Sequence, residues 1–174
     1  MLLSFIMDAR TGLGRFRYFK ISNYDLMMLL MDKCVEVSLE EVPKLPDVTE
    51  RTDLYFEQEE KFKTQLKKCT KIYGNLIFTD LKNEDPIFAG NRFMVYALNP
   101  DQNISIHAIW GRDKQNTVFA IGKSIVNLSS NTNVGELCLK YGGGGHEAAG
   151  TCQVDNDKSQ AILKEIVQKI NAAD

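Results

Sequence analysis

The sequence is most distinctive at Gly142-Gly-Gly-Gly-His-Glu-Ala-Ala-Gly150, where four consecutive glycines lead into a histidine and a run of small residues. One glycine is expected after Tyr141, because the residue that follows a helix usually adopts a left-handed backbone. The other three allow backbone N–H groups to approach an anion closely, as phosphate-binding loops do. His146 is then placed to donate to a phosphate oxygen or to stack on a base. The alternative is a flexible linker, but the run lies between a predicted helix and a predicted strand of one domain.

The segments around the glycine run predict a small α+β domain over residues 75–174. Asn133 with Glu136 predicts the capped start of an amphipathic helix before the run. A short strand at Thr151–Val154 and a helix from Asp157 are predicted after it. Four further segments predict strands because they are rich in β-branched and aromatic residues: Leu76–Leu81, Phe93–Leu98, Ile104–Trp110 and Thr117–Gly122. Turn residues between the last three predict an antiparallel meander.

Residues 1–74 predict less than a second domain. The apolar run from Met1 to Met7 predicts a buried strand of the kind found in α/β sheets. Ser22 with Asp25 predicts a capping box and a following helix. A long helix is predicted from Asp47 to about Tyr73, acidic in its first half and basic in its second, which complements the helix dipole. We therefore divide the chain into a strand-and-helix remnant (1–36), a linker with a long helix (37–74) and a complete domain with a mixed sheet (75–174).

Composition excludes several classes of protein. The chain has 174 residues, 44% of them hydrophobic, and a formal net charge of −2. These values exclude a disordered or collagen-like chain and a generally basic nucleic-acid coat, and they leave room for a local basic patch. The four cysteines lack zinc-type or disulfide spacing, which predicts free thiols and a cytoplasmic protein. The apolar start is far shorter than the ~20 residues that span a membrane, so no membrane association is expected.

A second candidate site lies at Asp8–Lys20. From Arg10 onward this segment has four basic residues and no acidic one, interleaved with three aromatic residues, a composition that suits phosphate and base contacts. An acidic residue at the end of a buried strand is also where α/β enzymes place functional groups. The alternative is that Asp8 only ends the strand and the arginines are solvated. His107 alternates with apolar residues along a predicted strand and is expected to be structural.

These segments together resemble the DHH phosphoesterase family. The glycine run, preceded by Val118–Ser124 and Asn133–Leu137, is similar to the substrate motif of the family's C-terminal, DHH-associated domain. The segment Asp8–Phe16 is similar to the end of its catalytic domain. The likeness covers nearly the whole chain and is nearest to exopolyphosphatase-related proteins, which are similar to nano-RNases that degrade short oligonucleotides and pAp.

For the metal centre, the resemblance implies that Asp8 is a ligand to one of two Mn²⁺ ions. The sequence contains no Asp-His-His, and both of its histidines lie after position 100. Two ions need several protein ligands, so Mn²⁺ is not expected to bind stably to this chain, and the chain alone is expected to be inactive. The rest of the catalytic domain, in cis or in trans, is therefore an expected partner.

For the substrate, the resemblance implies a nucleotide or short oligonucleotide that contacts the glycine motif through Gly143, Gly144, Gly145 and His146. Many family members have Arg-Ser where this chain has Lys123-Ser124, so the resemblance implies a contact from these two residues to the substrate phosphate. Arg112, in a predicted turn, is a second candidate for this contact.

Two alternatives to this interpretation concern the chain as a whole. It could be a non-catalytic RNA-binding module similar to the C-terminal domain of alanyl-tRNA synthetases, although such a module has no need of the Asp8 segment. It could also be an interaction domain in which the glycine run is structural. In addition, an unpartnered apolar strand at Leu2–Met7 predicts self-association, as in a homodimer, or poor stability.

Overall fold

A computed structural model of the chain describes residues 2–7, 13 and 19–174. The chain divides into two compact units, Met1–Gln65 with Pro86–Arg92, and Leu66–Asp85 with Phe93–Asp174. Each unit has its own hydrophobic core. Within the described ranges, no helix is both long and apolar enough to cross a membrane. The domain boundaries drawn after residues 36 and 74 stay a prediction.

The described part of the first unit is helical. It contains α1 (Leu2–Met7), α2 (Asn23–Glu36), a short 3₁₀ helix (Val42–Lys44) and most of α3 (Pro46–Cys69). The capping box at the start of α2 is confirmed, because the Asp25 N–H donates to the Ser22 hydroxyl and the Ser22 N–H donates to the Asp25 carboxylate. The core of this unit consists of Ile6, Leu13, Leu26, Leu30, Val42, Val48, Tyr55 and Ala89.

The strand predicted at the N-terminus is wrong, since Leu2–Met7 forms helix α1. Only Ile6 in this run is β-branched, and a helix satisfies its own backbone hydrogen bonds whereas a strand needs a neighbour. Ile6 is buried in the core of the first unit. Self-association through an exposed strand is therefore no longer expected.

The long helix α3 begins at Pro46, one residue before the predicted start, and ends at Cys69. Proline is favoured in the first turn because its missing N–H would be unpaired there. Residues 70–73, predicted as helix, instead form strand β1 (Thr70–Tyr73), which is rich in residues that favour strands. Lys61 and Glu57 form an i,i+4 ion pair on the surface of the helix, as expected for a solvated charged face.

The second unit is built on a six-stranded sheet with the order β1-β2-β3-β4-β6-β5. Strands β2 and β3 are parallel and every other neighbouring pair is antiparallel, so the predicted α+β fold with a mixed sheet is confirmed. Helices α5 (Val134–Leu139) and α6 (Ser159–Ala173) contribute to the core on one face of the sheet. The remaining strands are β2 (Leu76–Asp80), β3 (Ile104–Trp110), β4 (Thr117–Lys123), β5 (Gly144–His146) and β6 (Ala149–Val154).

The predicted antiparallel meander is wrong, because Phe93–Leu98 contains helix α4 (Met94–Leu98) where a strand was expected. This helix lies in the connection between the parallel strands β2 and β3, and parallel neighbours need such a crossover. The Tyr96 hydroxyl donates to the Gly122 carbonyl at 2.6 Å and lies 2.7 Å from the Ser105 hydroxyl. These contacts fix α4 against the sheet face opposite α5 and α6.

Candidate functional site

The glycine run is not the loop that its composition predicted, because Gly144–His146 forms the edge strand β5 and pairs with β6. Gly142 follows α5 with φ +76°, as the end of the helix requires. A Cβ atom on Gly143 would lie 2.0 Å from a carbonyl oxygen of β6, and one on Gly145 would lie 2.3 Å from another. A Cβ atom on Gly144 would meet nothing within 4 Å. Packing or backbone conformation therefore explains three of the four glycines, and Gly144 is left unexplained.

Two further glycines allow helix α5 to pack closely behind this strand. A Cβ atom on Gly135 of α5 would lie 2.8 Å from the Gly145 carbonyl oxygen, and one on Gly150 would lie 2.9 Å from Cys138 Sγ. The Gly143 N–H donates to the Cys138 carbonyl at 3.0 Å. The backbone of the glycine run is thus held by two neighbouring elements, which does not fit a flexible linker.

Beneath the glycine strand lie two buried cysteines, Cys138 on α5 and Cys152 on β6. Their thiols form a hydrogen bond, which lowers the pKa of Cys138 and, together with burial, raises the pKa of Cys152. All four cysteines of the chain are free, as predicted.

The turn of the β5–β6 hairpin is fixed by two neighbouring elements. The Glu147 carbonyl accepts a hydrogen bond from the Val134 N–H at 3.0 Å, and the Ala148 carbonyl accepts one from the Lys123 N–H at 2.8 Å. The first residue of α5, the last residue of β4 and the glycine hairpin therefore meet at one end of the sheet. Asn133 caps α5 as predicted, by accepting a hydrogen bond from the Glu136 N–H at 3.1 Å.

The register of the sheet puts Gly144 and His146 on the face opposite α5 and α6. Directly paired residues on neighbouring strands point to the same face. One row of paired residues runs His146, Ala149, Gly122 and Ser105, and the next runs Gly144, Thr151, Ala120 and His107. Residues that alternate with these, such as Ile106 and Ile121, belong to the core that includes α5 and α6. We call the five small residues of the two rows the small-residue face: Ala120, Gly122, Gly144, Ala149 and Thr151.

Lys123 is close to the glycine hairpin, although it does not share a face with His146. It pairs with Ile104 in a row of the helix-covered face. Its side chain is half-buried, and its Nζ lies 3.4 Å from Glu147 Oε1 in the exposed hairpin turn. The structure thus brings a positive charge to the same end of the sheet as His146, which is exposed.

The other two predicted substrate contacts are placed less favourably. Ser124 is buried, and its hydroxyl accepts hydrogen bonds from the Val126 and Asn127 N–H groups, so it stabilises the loop after β4. Arg112 is almost fully exposed and lies in the turn before β4, with its Nε 3.4 Å from Asp113 Oδ2. The seven-residue strand β4 separates this turn from Lys123 by about 20 Å. The structure therefore does not bring Arg112 to the glycine hairpin.

His107 was expected to be structural, which stays a prediction, and the register places it in the same row as Gly144. The residue as a whole is half-buried, but its Nε2 atom is enclosed and has no hydrogen-bond partner among the described residues. Burial lowers the pKa of His107 to about 4, so the ring is neutral at pH 7. Only strand pairing reveals this position, because a single strand does not show which residues of other strands lie beside it.

No metal site is formed by the part of the chain that the structure describes, where no three His, Cys, Asp or Glu side chains are grouped to hold an ion. Asp8, the predicted Mn²⁺ ligand, and most of the Asp8–Lys20 segment lie outside the described residues.

The buried His107 predicts a specific loss of stability in acid. Its folded-state pKa of about 4 is below the ordinary value of 6.5, so between these values the unfolded chain binds the proton more tightly. The free energy of unfolding should therefore fall as the pH drops below 6.5, by about 2 kcal/mol at pH 4.5 from this residue alone. Urea unfolding at pH 7 and pH 4.5 measures the effect in the natural chain and in His107→Gln, which lacks it. Equal pH dependence of the two proteins would contradict the assignment.

Similarity to known proteins is found among solved structures. No protein-family model matches the chain, and no curated protein matches it. The chain is similar in structure to PggH, a pGpG-specific phosphodiesterase from Vibrio cholerae, with 57% sequence identity and a TM-score of 0.82 over 99% of this chain and 59% of that one. The chain thus spans less than two thirds of the length of this relative.

Two more distant structures are also similar. An exopolyphosphatase-related protein from Bacteroides fragilis matches 84% of this chain and 42% of its own, with 13% identity and a TM-score of 0.53, which shows a shared fold alone. The DHH domain of a member of a family of ribosomal proteins matches 66% of this chain and 30% of its own, with 15% identity and a TM-score of 0.47, too low to support an argument. The fold, the glycine motif and the likeness to PggH agree with the resemblance seen in the sequence: the chain belongs to the DHH phosphoesterase family and contains its C-terminal, DHH-associated domain.

Proposed function

We propose that this chain is the substrate-binding part of a phosphoesterase that hydrolyses short oligonucleotides, with pGpG as its principal substrate. The specificity of PggH, which is 57% identical, supports this choice of substrate. The observation that carries the proposal is Gly144, the one residue of the glycine run whose missing side chain faces open space. A glycine that packing does not require is best explained by a ligand that approaches the backbone there.

The terminal phosphate of the substrate binds at strand β5. This strand is the last in the sheet, so alternate N–H groups point away from β6. That of Gly143 donates to the Cys138 carbonyl, which makes the N–H of Gly145 the candidate donor to an anion. His146 lies two residues after Gly144 on the same face and donates to the phosphate from its exposed ring. The close packing of Gly143 and Gly145 against β6 holds the strand in place before the ligand arrives.

Lys123 supplies positive charge at the same end of the sheet. Its ammonium group lies near Glu147, a carboxylate that is largely exposed. Because that ion pair is weak in solvent, the ammonium group can exchange it for a phosphate oxygen at little cost. Ser124 serves the site indirectly by fixing the loop that follows Lys123. Arg112 is too distant to take part.

Hydrolysis is proposed to need the family's Mn²⁺ centre, to which this chain contributes Asp8. The remaining ligands would come from a catalytic domain, in cis or in trans, because the chain spans 59% of PggH. The free thiols support a reducing, cytoplasmic setting for the assembled enzyme.

The chain alone is expected to bind pGpG without hydrolysing it, because a two-metal mechanism needs more ligands than the chain provides. The measurement is incubation of the purified chain with Mn²⁺ and pGpG, followed by chromatography of the nucleotides. Formation of GMP that depends on Mn²⁺ and on the amount of this protein would refute the expectation.

Substitution of Gly144 by leucine is expected to abolish binding without unfolding the domain. The new side chain would project into open space on the small-residue face, so the melting temperature should stay within about 2 °C of the natural value, while the affinity for pGpG falls more than tenfold. Calorimetric titration and thermal unfolding measure the two quantities. A Gly145→Leu variant is the control, because its side chain would clash with β6 and should lower the melting temperature. Unchanged affinity in Gly144→Leu would remove the main support for this site.

Lys123 and Arg112 are expected to differ in their effect on binding. Lys123→Ala should weaken pGpG binding by about tenfold, the usual effect of losing one hydrogen bond to a charged group. Arg112→Ala, which removes the same charge about 20 Å away, should leave the affinity within twofold. The same titration with a structured RNA tests the RNA-binding alternative, which predicts tighter binding to RNA than to pGpG. A larger loss in Arg112→Ala than in Lys123→Ala would reverse the assignment.

A further inference from the structure

We propose that the loop after β4 binds the base of a nucleotide whose phosphate is held at Lys123 and strand β5. We call residues 125–130 the apolar loop. The contact is made between the flat face of the base and the aliphatic side chains of Ile125, Val126 and Leu128. This inference rests on the proposed function and adds to it a surface for the base and a preference for purines.

The first observation is that the large apolar side chains of this loop are exposed. Ile125, Val126 and Leu128 are 60%, 64% and 80% exposed. A single exposed apolar residue is common on protein surfaces, whereas a group of them indicates a surface that binds something. The stretch is also uncharged, since no Asp, Glu, Lys or Arg occurs between Lys123 and Glu136. The loop therefore suits an apolar, uncharged group.

The second observation is that hydrogen bonds hold the first half of the loop in place. The Ser124 hydroxyl accepts hydrogen bonds from the N–H groups of Val126 and Asn127. The Asn127 side chain donates to the Asp101 carbonyl at 2.9 Å and accepts from the Ser129 N–H at 3.2 Å. The loop is thus ordered before a ligand binds, which lowers the entropic cost of binding.

The second half of the loop is held in the same way. The Asn103 side chain donates to the Ser129 hydroxyl at 3.1 Å. Just after the loop, the N–H groups of Asn131 and Thr132 donate to Asp174 Oδ1 at 2.6 and 3.2 Å. Turning the apolar side chains inward would break these hydrogen bonds, and each broken bond is unfavourable. Removal of the side chains from water therefore requires a ligand that covers them.

The third observation is that the loop lies next to the proposed phosphate contact. Lys123, whose Nζ is 3.4 Å from Glu147 Oε1 in the hairpin turn, directly precedes Ser124 and the loop. Three residues of extended chain span at most about 11 Å, so Val126 lies within that distance of Lys123. In a nucleotide, one sugar separates the phosphate from the base. A single nucleotide can therefore contact Lys123 and the apolar loop together.

Charge and size both favour a nucleotide over a protein as the occupant of this surface. A nucleotide is an anion joined to an uncharged ring, and the chain presents a cation, Lys123, followed by an uncharged loop. A stable protein interface takes about 20–30 residues from each partner, whereas the apolar loop has six. A base needs only a few aliphatic contacts, so it matches the loop in size.

Apolar contact of this kind makes the affinity depend on the area of the base. The free energy of burial grows with the apolar area removed from water, and a purine has a larger face than a pyrimidine. The Asn127 side chain is already engaged within the protein, so it is not free to read the edge of the base. We therefore expect the loop to favour purines over pyrimidines, and the choice of guanine over adenine to require hydrogen bonds elsewhere in the site.

The experiment compares ligands that share a phosphate and differ in the base. The affinities of the purified 174-residue chain for GMP, UMP and ribose 5-phosphate are measured by calorimetry and should decrease in that order. Leu128→Ser should weaken GMP binding about fivefold, as expected when part of the burial of a leucine side chain is lost, and leave ribose 5-phosphate unchanged. Lys123→Ala should weaken all three ligands, which tests the phosphate site separately.

Two further variants serve as a control and as a direct readout. Leu139 is similarly exposed but is the last residue of α5, so Leu139→Ser should leave all three affinities unchanged. Leu128→Trp should strengthen GMP binding, because an indole ring stacks well on a base. Its fluorescence should be quenched by GMP and not by ribose 5-phosphate, with the natural chain and its single tryptophan, Trp110, as background. Exposed positions tolerate substitution, so the melting temperatures should change by no more than about 2 °C.

The outcomes separate this inference from the proposed function. Unchanged GMP affinity in Leu128→Ser would overturn the inference while the phosphate site stands. Equal losses of GMP and ribose 5-phosphate affinity in that variant would also overturn it, since the loop would then act on the phosphate and not on the base. A natural chain that sediments as a dimer, with Leu128→Ser a monomer, would identify a second copy as the occupant and contradict the inference. If the natural chain bound none of the three ligands, the proposed function and this inference would both fail.

Discussion

The structure of the second unit depends on the close approach of three backbones: strand β5, strand β6 and helix α5. Side chains at Gly135, Gly143, Gly145 or Gly150 would each bring a Cβ atom within 3 Å of another residue, a distance that only glycine avoids. The close packing of these backbones fixes the hairpin turn between β5 and β6. Two carbonyl groups of this turn accept hydrogen bonds from α5 and β4. The end of the sheet that carries His146 and Lys123 is therefore determined by the packing of these glycines.

Local sequence signals predicted the elements whose stability is local. The capping box at Ser22 and the cap at Asn133 were both recognisable, because a side chain and a backbone N–H three residues away decide the start of a helix. Strands β3 and β4 were predicted from their β-branched residues. Segments Leu2–Met7 and Met94–Leu98 were mispredicted, because short apolar runs are equally compatible with helix and strand. Their partners in the fold decide between the two, and these partners are distant in sequence.

In the candidate site, too, local features were visible in the sequence, whereas positions that depend on distant strands were not. The glycine run and His146 stood out in the sequence because their composition is unusual. The sequence did not show which glycines packing requires, since this depends on the distance from each residue to backbone atoms of β6 and α5. The place of His107 in the same row as Gly144 was not visible for a similar reason: it follows from the register of β3, β4, β6 and β5, which hydrophobic patterns in one strand do not determine. The role of Arg112 stays a prediction, and the sequence did not show its distance of about 20 Å from Lys123 along β4.

Packing requires glycine at some positions of the motif and not at others. This difference changes how sequence variation in the motif should be interpreted. A homologue that had lost all activity would still need glycine at the positions of Gly143 and Gly145, because the fold itself excludes other residues there. Conservation at these two positions therefore reports on folding and not on function. The position of Gly144 is different, since a Cβ atom there would meet nothing within 4 Å. A family member with a bulky residue at that single position is expected to be a correctly folded pseudoenzyme.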